Sequence, residues 1–174
     1  MASILGVGID IGTSTTQLVF SRITMDNTTG YFSVPHVSIV EKEVIYRSKV
    51  YTTPLLTESL IDGSAIRSIV EQEYQLAGFL PQDVDTGAVI VTGESARKEN
   101  AQAVLENLSA FAGEFVVSTA GPDLESIIAG KGSGAYQYSI EHDCSVVNLD
   151  IGGGTTNLVL FENGATAGTG CFNI

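Results

Sequence analysis

Two short segments of this 174-residue chain combine an acidic residue, glycines and hydroxyl side chains in the same order. DIGTSTTQLV begins at Asp10, and DIGGGTTNLV begins at Asp150. The segments lie 140 positions apart and are identical at seven of ten positions. Hydrophobic patterning alone would not require the same Asp, Gly and Thr residues at the same places, so we interpret the pair as a duplicated site.

Both segments are suited to binding phosphate together with a divalent cation. Glycine lacks a Cβ atom, so backbone N–H groups in a Gly-rich turn can come close to an anionic oxygen. Hydroxyl side chains add donors, and a carboxylate at a strand end can hold a hydrated Mg²⁺, which needs only one or two carboxylates. The predicted phosphate-binding residues are Gly12, Thr13, Ser14, Thr15, Gly152, Gly153, Gly154 and Thr155, and the predicted metal-binding and catalytic residues are Asp10 and Asp150.

A purely structural interpretation of each segment is the alternative. The aspartates could cap turns, and the glycines could simply permit hairpin geometry. Because the same residues recur in both copies, the sequence favours the nucleotide site over this alternative.

The elements that must position these segments follow a mixed α/β pattern. Apolar residues predict strands over residues 4–11 and 17–23, and a third strand follows a turn-rich stretch that begins at Thr24. The later strands are predicted in GAVIVTG, EFVVS, CSVVNLDIG and NLVLFENGATAGTG. Helices are predicted from apolar residues at helical spacing over residues 58–77, 95–112 and 120–129.

The order of these elements predicts an α/β fold that restarts after its third helix. The Gly-rich segment GKGSGA is interpreted as a flexible connector at that point, although it could also cradle phosphate. We therefore expect a first domain over residues 1–142 and the beginning of a second over 143–174.

Charge and composition exclude several classes of function. Eight Lys and Arg against twenty Asp and Glu leave a net charge of −12, so the basic surface expected of a protein that binds nucleic acid or an anionic membrane is missing. The chain has no GxxxxGK[ST] P-loop, and GVGIDIG lacks the dinucleotide-binding spacing. The segment MASILGVGID has neither a basic region nor a cleavage signal, and no apolar run approaches 18 residues, so we expect a cytoplasmic protein.

DIGTSTT and DIGGGTT resemble the two phosphate motifs of the superfamily that contains actin, heat-shock chaperones and sugar kinases. VDTGAVIVTGESARKENA and EFVVSTAGPDLESIIAGKGSGA more narrowly resemble the family of ethanolamine ammonia-lyase reactivating factors, and this likeness covers nearly the whole chain. The superfamily resemblance implies an RNase H-like (actin-like ATPase) lobe. Such a lobe has a mixed five-stranded sheet with helices, is followed here by the start of a second lobe, and binds ATP and Mg²⁺ between the lobes.

The narrower resemblance implies an ATP-dependent, chaperone-like factor. Such a factor exchanges damaged for intact cobalamin on the adenosylcobalamin-dependent enzyme ethanolamine ammonia-lyase. The implied partners are the lyase and a nucleotide, and neither nucleic acid nor a membrane is expected as a partner. The resemblance also implies association with a bacterial microcompartment. Because the chain stops inside the restarted meander, we expect a longer protein with ATPase activity, of which residues 1–174 alone bind ATP weakly and are inactive.

The residue that orients the attacking water is left open. In heat-shock chaperones the helix after the fifth strand begins with an acidic residue, whereas Gly121 stands there in this chain, and Asp123 and Glu125 are the nearest acids. Glu94 in TGES could support a metal or simply begin a helix, where the helix dipole favours an acid. His36 and His142 have no partners at a recognisable spacing and are assigned to the surface.

Three other functions remain as alternatives. A sugar or small-molecule kinase would share DIGTSTT, and an actin-like filament protein would share the fold. An RNase H-type nuclease would bind two metal ions with Asp10, Glu94 and either Asp123 or Asp150. The charge of −12 disfavours the nucleic-acid substrate that this last function needs.

Overall fold

The computed structural model describes residues 2–27, 37–112, 116–119 and 121–173. The strands are β1 (Ala2–Ile11), β2 (Thr15–Asn27), β3 (Val37–Arg47), β4 (Tyr51–Thr52), β5 (Leu55–Thr57), β6 (Leu60–Ile61), β7 (Thr86–Val91), β8 (Val116–Thr119), β9 (Ser145–Ile151), β10 (Thr155–Glu162) and β11 (Ala165–Asn173). The α-helices are α1 (Gly63–Ala77), α2 (Ala101–Ala112), α3 (Pro122–Gly132) and α4 (Ala135–Glu141). Across these ranges, none of the helices has both the length and the apolar composition needed to cross a bilayer.

The first sheet has the strand order β3-β2-β1-β7-β8. The three strands β1, β2 and β3 pair antiparallel as a meander, whereas β7 pairs parallel with both β1 and β8. The short strand β4 adds a sixth member by pairing with the start of β2. This arrangement confirms the predicted mixed α/β fold with a five-stranded principal sheet.

The core of the first sheet lies on the face that is covered by α1 and α2. Alternate residues of β1 point to this face because successive side chains in a strand point to opposite sides. The side chains that fill the core are at most 4% exposed and come from β1, β2, β6, β7, α1 and α2. They include Val7, Ile9, Ile11, Leu18, Phe20, Val89, Val91, Ile66, Val70, Leu105 and Leu108. Full burial of each large apolar side chain contributes about 1.5–3 kcal/mol.

The first helix is shorter than the periodicity predicts. Asp62 caps α1 by accepting a hydrogen bond from the Ala65 N–H at 3.0 Å, and Gly78 ends the helix with a positive φ of 77°. The preceding residues form the small β5–β6 hairpin instead of helix. Ile61 is held there because the Asn100 side chain hydrogen-bonds both its N–H and its carbonyl group.

The second predicted helix is divided in two. A 3₁₀ turn covers Gly93–Arg97, and α2 begins only at Ala101. The break falls at Lys98, whose extended backbone (φ −71°, ψ 146°) an α-helix does not allow. The 3₁₀ turn lies directly after β7 and faces the ends of β1 and β9.

The segment GKGSGA is not a flexible connector in the structure. Helix α3 continues to Gly132, and α4 begins at Ala135. Gly130 lies in the last turn of α3, where a Cβ atom would come within 2.6 Å of Phe161 Cε2. Glycine at this position therefore allows α3 to pack closely on the second sheet.

The second sheet is antiparallel, with the order β11-β10-β9. Both helices that follow the first sheet, α3 and α4, pack against it. The domain boundary after residue 142 stays a prediction. The turn-rich stretch after Asn27, the surface assignment of His36, and the first residues of the strand EFVVS and of the third helix lie outside the described residues. His142 is exposed, as predicted.

Candidate functional site

The two glycine-rich turns meet at one cleft. In each copy the first glycine donates its N–H to the carbonyl of the threonine three residues later, Gly12 to Thr15 and Gly152 to Thr155, both at 2.8 Å. All ten residues predicted to bind phosphate or metal line this cleft, whose volume is about 210 Å³. The structure thus brings the predicted residues together, and their roles in binding stay predictions.

The two turns interlock through a difference in their sequences. Ser14 of the first turn lies against Gly153 of the second, where an added Cβ atom would be only 2.7 Å from Ser14 Cβ. A Cβ atom added at Gly154 would lie 3.4 Å from the Thr13 methyl carbon, which is an ordinary van der Waals contact. Gly153 of DIGGGTT therefore makes room for Ser14 of DIGTSTT, and none of the three glycines has a positive φ.

A pair of carboxylates lies on the floor of the cleft. Thr92 Oγ1 donates a hydrogen bond to Asp10 Oδ1 at 3.2 Å and orients that side chain. Loss of hydration raises the pKa of Asp10, the Thr92 hydrogen bond opposes this effect, and the negative charge of Asp150 raises the pKa further. A cation between the two carboxylates would relieve this repulsion, so the site fits a hydrated Mg²⁺.

No metal site is formed by protein ligands alone in the described part of the chain. Within those residues, no three His, Cys, Asp or Glu side chains converge closely enough to hold an ion. An ion bound by Asp10 and Asp150 would complete its coordination with water and phosphate oxygens, as Mg²⁺ usually does.

The 3₁₀ turn after β7 braces the first glycine-rich turn. The Glu94 N–H donates to Thr13 Oγ1 at 2.9 Å, and Ser95 Oγ donates to the Gly12 carbonyl at 3.0 Å. Together with the bond from Thr92 to Asp10, these contacts fix the turn from one side. The signal in the sequence was the segment TGES directly after a buried strand, but its hydrogen-bond partners lie more than 80 residues away.

A second brace comes from the segment before β5. Thr53 Oγ1 donates to the Gly12 carbonyl at 2.8 Å, and the Thr53 N–H donates to the Ser14 carbonyl at 2.9 Å. Thr53 is buried, and its hydroxyl also lies 3.0 Å from that of Thr16. Nothing in the sequence pattern pointed to Thr53.

The structure distinguishes the acids that the sequence left open. Both acids lie in the first turn of α3, but Glu125 lines the cleft, while Asp123 accepts a hydrogen bond from Thr169 Oγ1 at 2.6 Å. Glu94 pairs with Arg97 at 2.9 Å and lines a neighbouring pocket instead of the phosphate cleft. The set that a nuclease would need is therefore not gathered around Asp10.

Glu125 is held in a charged environment. Gly93, Asn157 and Glu125 line one pocket next to the cleft. Burial raises the pKa of Glu125 most, the neighbouring Gly93 N–H and Asn157 side chain lower it, and the negative charges of Asp10 and Asp150 raise it. Gly93 is required at its position because its φ is positive and a Cβ atom would lie 2.5 Å from Thr13 Oγ1.

Known proteins resemble the chain in sequence and in fold. The ethanolamine ammonia-lyase reactivases EutA of Salmonella typhimurium and Escherichia coli are each 43% identical to it over 171 residues, which is 98% of this chain and 37% of theirs. The chain therefore spans about a third of the length of these relatives. A Ppx/GppA enzyme of Aquifex aeolicus has a similar fold, with a TM-score of 0.67 and 20% identity over 98% of this chain and 52% of that one.

The fold is that of an actin-like ATPase lobe, which confirms the predicted fold class. The family model described as ethanolamine utilisation protein EutA matches residues 2–174. With this match and the 43% identity to two reactivases, the chain belongs to the EutA family of ethanolamine utilisation proteins.

Proposed function

We propose that this chain forms the phosphate-binding part of an ATP-dependent factor that reactivates ethanolamine ammonia-lyase. The observation that carries the proposal is the meeting of the two glycine-rich turns over the carboxylates of Asp10 and Asp150. Membership of the EutA family supports the lyase as the partner.

The cleft can bind the phosphates of a nucleotide without basic side chains. Backbone N–H groups of the turns and the hydroxyls of Thr13, Ser14 and Thr155 surround the space. Asp10 and Asp150 would hold Mg²⁺, which neutralises phosphate charge and polarises the terminal phosphoryl group when it is bound. This arrangement suits a chain with a net charge of −12, because the cation supplies the positive charge that the protein lacks.

We assign Glu125 the role of orienting an attacking water, because it shares the cleft with both turns. In its ionised form it can accept a proton from water held at hydrogen-bond distance. Burial raises the pKa of Glu125, and the neighbouring Gly93 N–H and Asn157 side chain oppose this effect and favour the ionised form.

Reactivation requires that hydrolysis be coupled to the partner. A nucleotide bound between two lobes can set their relative angle. A partner that binds one arrangement of the lobes more tightly is then bound in that arrangement and released in the other. ATP and ADP must bind the two arrangements unequally for this to work, since a ligand shifts an equilibrium only by its differential affinity. The damaged cobalamin would be released during this exchange and replaced by adenosylcobalamin.

The proposal is tested on the full-length protein with its lyase. The lyase is loaded with cyanocobalamin, free cofactor is removed, and adenosylcobalamin is added with the factor, with or without Mg-ATP. We expect deamination to recover only with Mg-ATP, and Asp10→Asn to prevent recovery. Asp123→Asn is the matched control, because Asp123 bonds Thr169 outside the cleft. Equal recovery without ATP, or with Asp10→Asn, would contradict the proposal.

A further inference from the structure

Thr53 lies outside both copies of the repeat, but it is hydrogen-bonded to the first copy through its side chain and its backbone. Its hydroxyl donates to the Gly12 carbonyl at 2.8 Å and lies 3.0 Å from the Thr16 hydroxyl, and its N–H donates to the Ser14 carbonyl at 2.9 Å. Because the hydroxyl proton of Thr53 is used on Gly12, the Thr16 hydroxyl is the donor in their contact. Thr53 is only 5% exposed, so a buried protein group holds the turn at this point.

The Gly12 carbonyl is held by a second hydroxyl as well. Ser95 Oγ donates to it at 3.0 Å from the 3₁₀ turn that follows β7, and Ser95 is fully buried. Thr53 and Ser95 belong to different segments, which lie 41 and 83 residues from Gly12 along the chain. A carbonyl oxygen has two lone pairs, so two donors satisfy this oxygen and fix its direction.

The direction of the carbonyls decides where the N–H groups of the first turn point. A trans peptide group is planar, so the N–H of the following residue points away from the carbonyl oxygen. The carbonyls of Gly12 and Ser14 point toward Thr53. The N–H groups that follow them, those of Thr13 and Thr15, therefore point away from Thr53. Both of these residues line the cleft, where a reversed peptide group would present an oxygen that repels phosphate.

We propose that Thr53 and Ser95 are positioning residues, which aim the backbone N–H groups of the first turn at the phosphates of a bound nucleotide. This inference rests on the nucleotide binding proposed above. Neither residue is part of the cleft lining, so both act through the Gly12 carbonyl. Packing alone does not explain threonine at position 53, because valine has nearly the same shape and brings no hydroxyl that needs a buried partner.

The test compares Thr53→Val, Thr53→Ser and Ser48→Ala in the full-length protein. Thr53→Val removes the hydroxyl and keeps the branched shape, whereas Thr53→Ser keeps the hydroxyl. Ser48→Ala is the matched control, because Ser48 is also buried and lies five residues before Thr53. The Ser48 hydroxyl accepts from the Leu18 N–H at 2.9 Å and donates to the Lys49 carbonyl at 2.7 Å, so neither bond involves the turn.

Calorimetry measures the Kd for Mg-ATP, and melting curves measure the stability of each variant. We expect Thr53→Val to weaken binding by about 10-fold and Thr53→Ser to bind within about 3-fold of the unsubstituted protein, which is the range of effect of one hydrogen bond. Ser48→Ala should lose a similar amount of stability and keep its affinity. Mg-ATP should also slow hydrogen exchange of the amides of residues 12–16, and Thr53→Val should lose this protection, which a purely structural role would leave unchanged.

Unchanged affinity in folded Thr53→Val, or an equal loss of affinity in Ser48→Ala, overturns the positioning role alone. Ser95→Ala removes the other donor to the Gly12 carbonyl and keeps the proposal testable if Thr53→Val does not fold. It should weaken Mg-ATP binding in the same direction, and unchanged affinity in Ser95→Ala also overturns the role. Absence of Mg-ATP binding by the unsubstituted protein overturns the proposed function as well.

Discussion

The two copies of the repeated hairpin differ most in what covers their apolar faces. The first copy is β1–β2 and the second is β9–β10, and their sequences place apolar residues at equivalent positions. The equivalent pairs are Val7 and Val147, Ile9 and Leu149, and Ile11 and Ile151. The β1 members are at most 4% exposed, whereas the β9 members are 56–71% exposed.

The helices explain this difference. In the first copy α1 and α2 cover the face that carries Ile9. In the second copy α3 covers the opposite face, from which Val159 and Phe161 point toward Gly130. The same alternating pattern thus predicts a face suited to burial in both copies, but the position of the helices determines which face is buried.

The largest expected effect comes from placing a charge at equivalent positions of β1 and β9. Ile9→Lys places an unpaired charge in the first core and should cost more than about 4 kcal/mol, enough to unfold the chain. Leu149→Lys, at the equivalent position, should change the free energy of unfolding of residues 1–174 by less than about 0.5 kcal/mol, because the side chain is exposed. Urea denaturation measures both. Similar destabilisation by the two variants would contradict the difference in burial.

The next effect concerns the carboxylate of the first copy. In the full-length protein, Asp10→Asn should lower Mg-dependent ATP turnover by about 10²-fold, the size of effect seen when a group stabilising transition-state charge is removed. Stability should not fall at pH 7. Because burial raises the pKa of Asp10, the ionised form is disfavoured in the folded state, and removal of the charge relieves that cost. A large drop in melting temperature would argue for a structural role instead.

A substitution where the two glycine-rich turns interlock should have a smaller effect, which a second substitution should partly reverse. Gly153→Ala should weaken Mg-ATP binding by about 10-fold, since overpacking typically costs 1–3 kcal/mol and the added Cβ meets Ser14. Ser14→Gly removes that side chain, so the double variant should recover part of the affinity. Calorimetry on the full-length protein measures this coupling. Additive losses in the double variant would show that the two turns do not pack as described.

The smallest effect concerns the contact that holds α1 on the first sheet. Glu73 is 1% exposed and accepts hydrogen bonds from the hydroxyls of Tyr46 on β3 and Tyr51 on β4. Burial and the Glu73 contact raise the pKa of Tyr51 to about 12, and burial raises that of Tyr74 to about 12. Since these tyrosines keep their protons longer in the folded state, their contribution to stability is complete below pH 10 and is lost between pH 10 and 12.

Glu73→Gln separates the causes of this alkaline loss. The variant removes the negative charge beside Tyr46 and Tyr51, so stability should fall less steeply between pH 10 and 12 than in the unsubstituted chain. Tyr74→Phe removes a hydroxyl whose pKa is raised by burial and leaves Glu73 in place, so it should also flatten the slope and measures the part of the loss that does not depend on Glu73. Melting curves from pH 8 to 12 measure the slopes. An identical slope in Glu73→Gln would contradict the influence of this carboxylate.

Much of this molecule could be predicted from local sequence patterns. The strands around Asp10 and Asp150 follow from alternating apolar residues, and the repeat by itself identifies both glycine-rich turns. Helix boundaries were less predictable, because Asp62 caps α1 and the extended backbone of Lys98 interrupts the second predicted helix. The periodicity of apolar residues carries no information about either feature.

The sequence by itself determined the principal strands and the ten residues of the two turns, because these depend on neighbours close in the chain. Only the tertiary structure decided which other groups join them. Parallel pairing of Ile11 with Val91 places Thr92 and Gly93 beside the first turn, and the packing of α3 on the second sheet brings Glu125, not Asp123, to the cleft. These contacts join residues far apart in sequence, and strand register and helix packing set their distances.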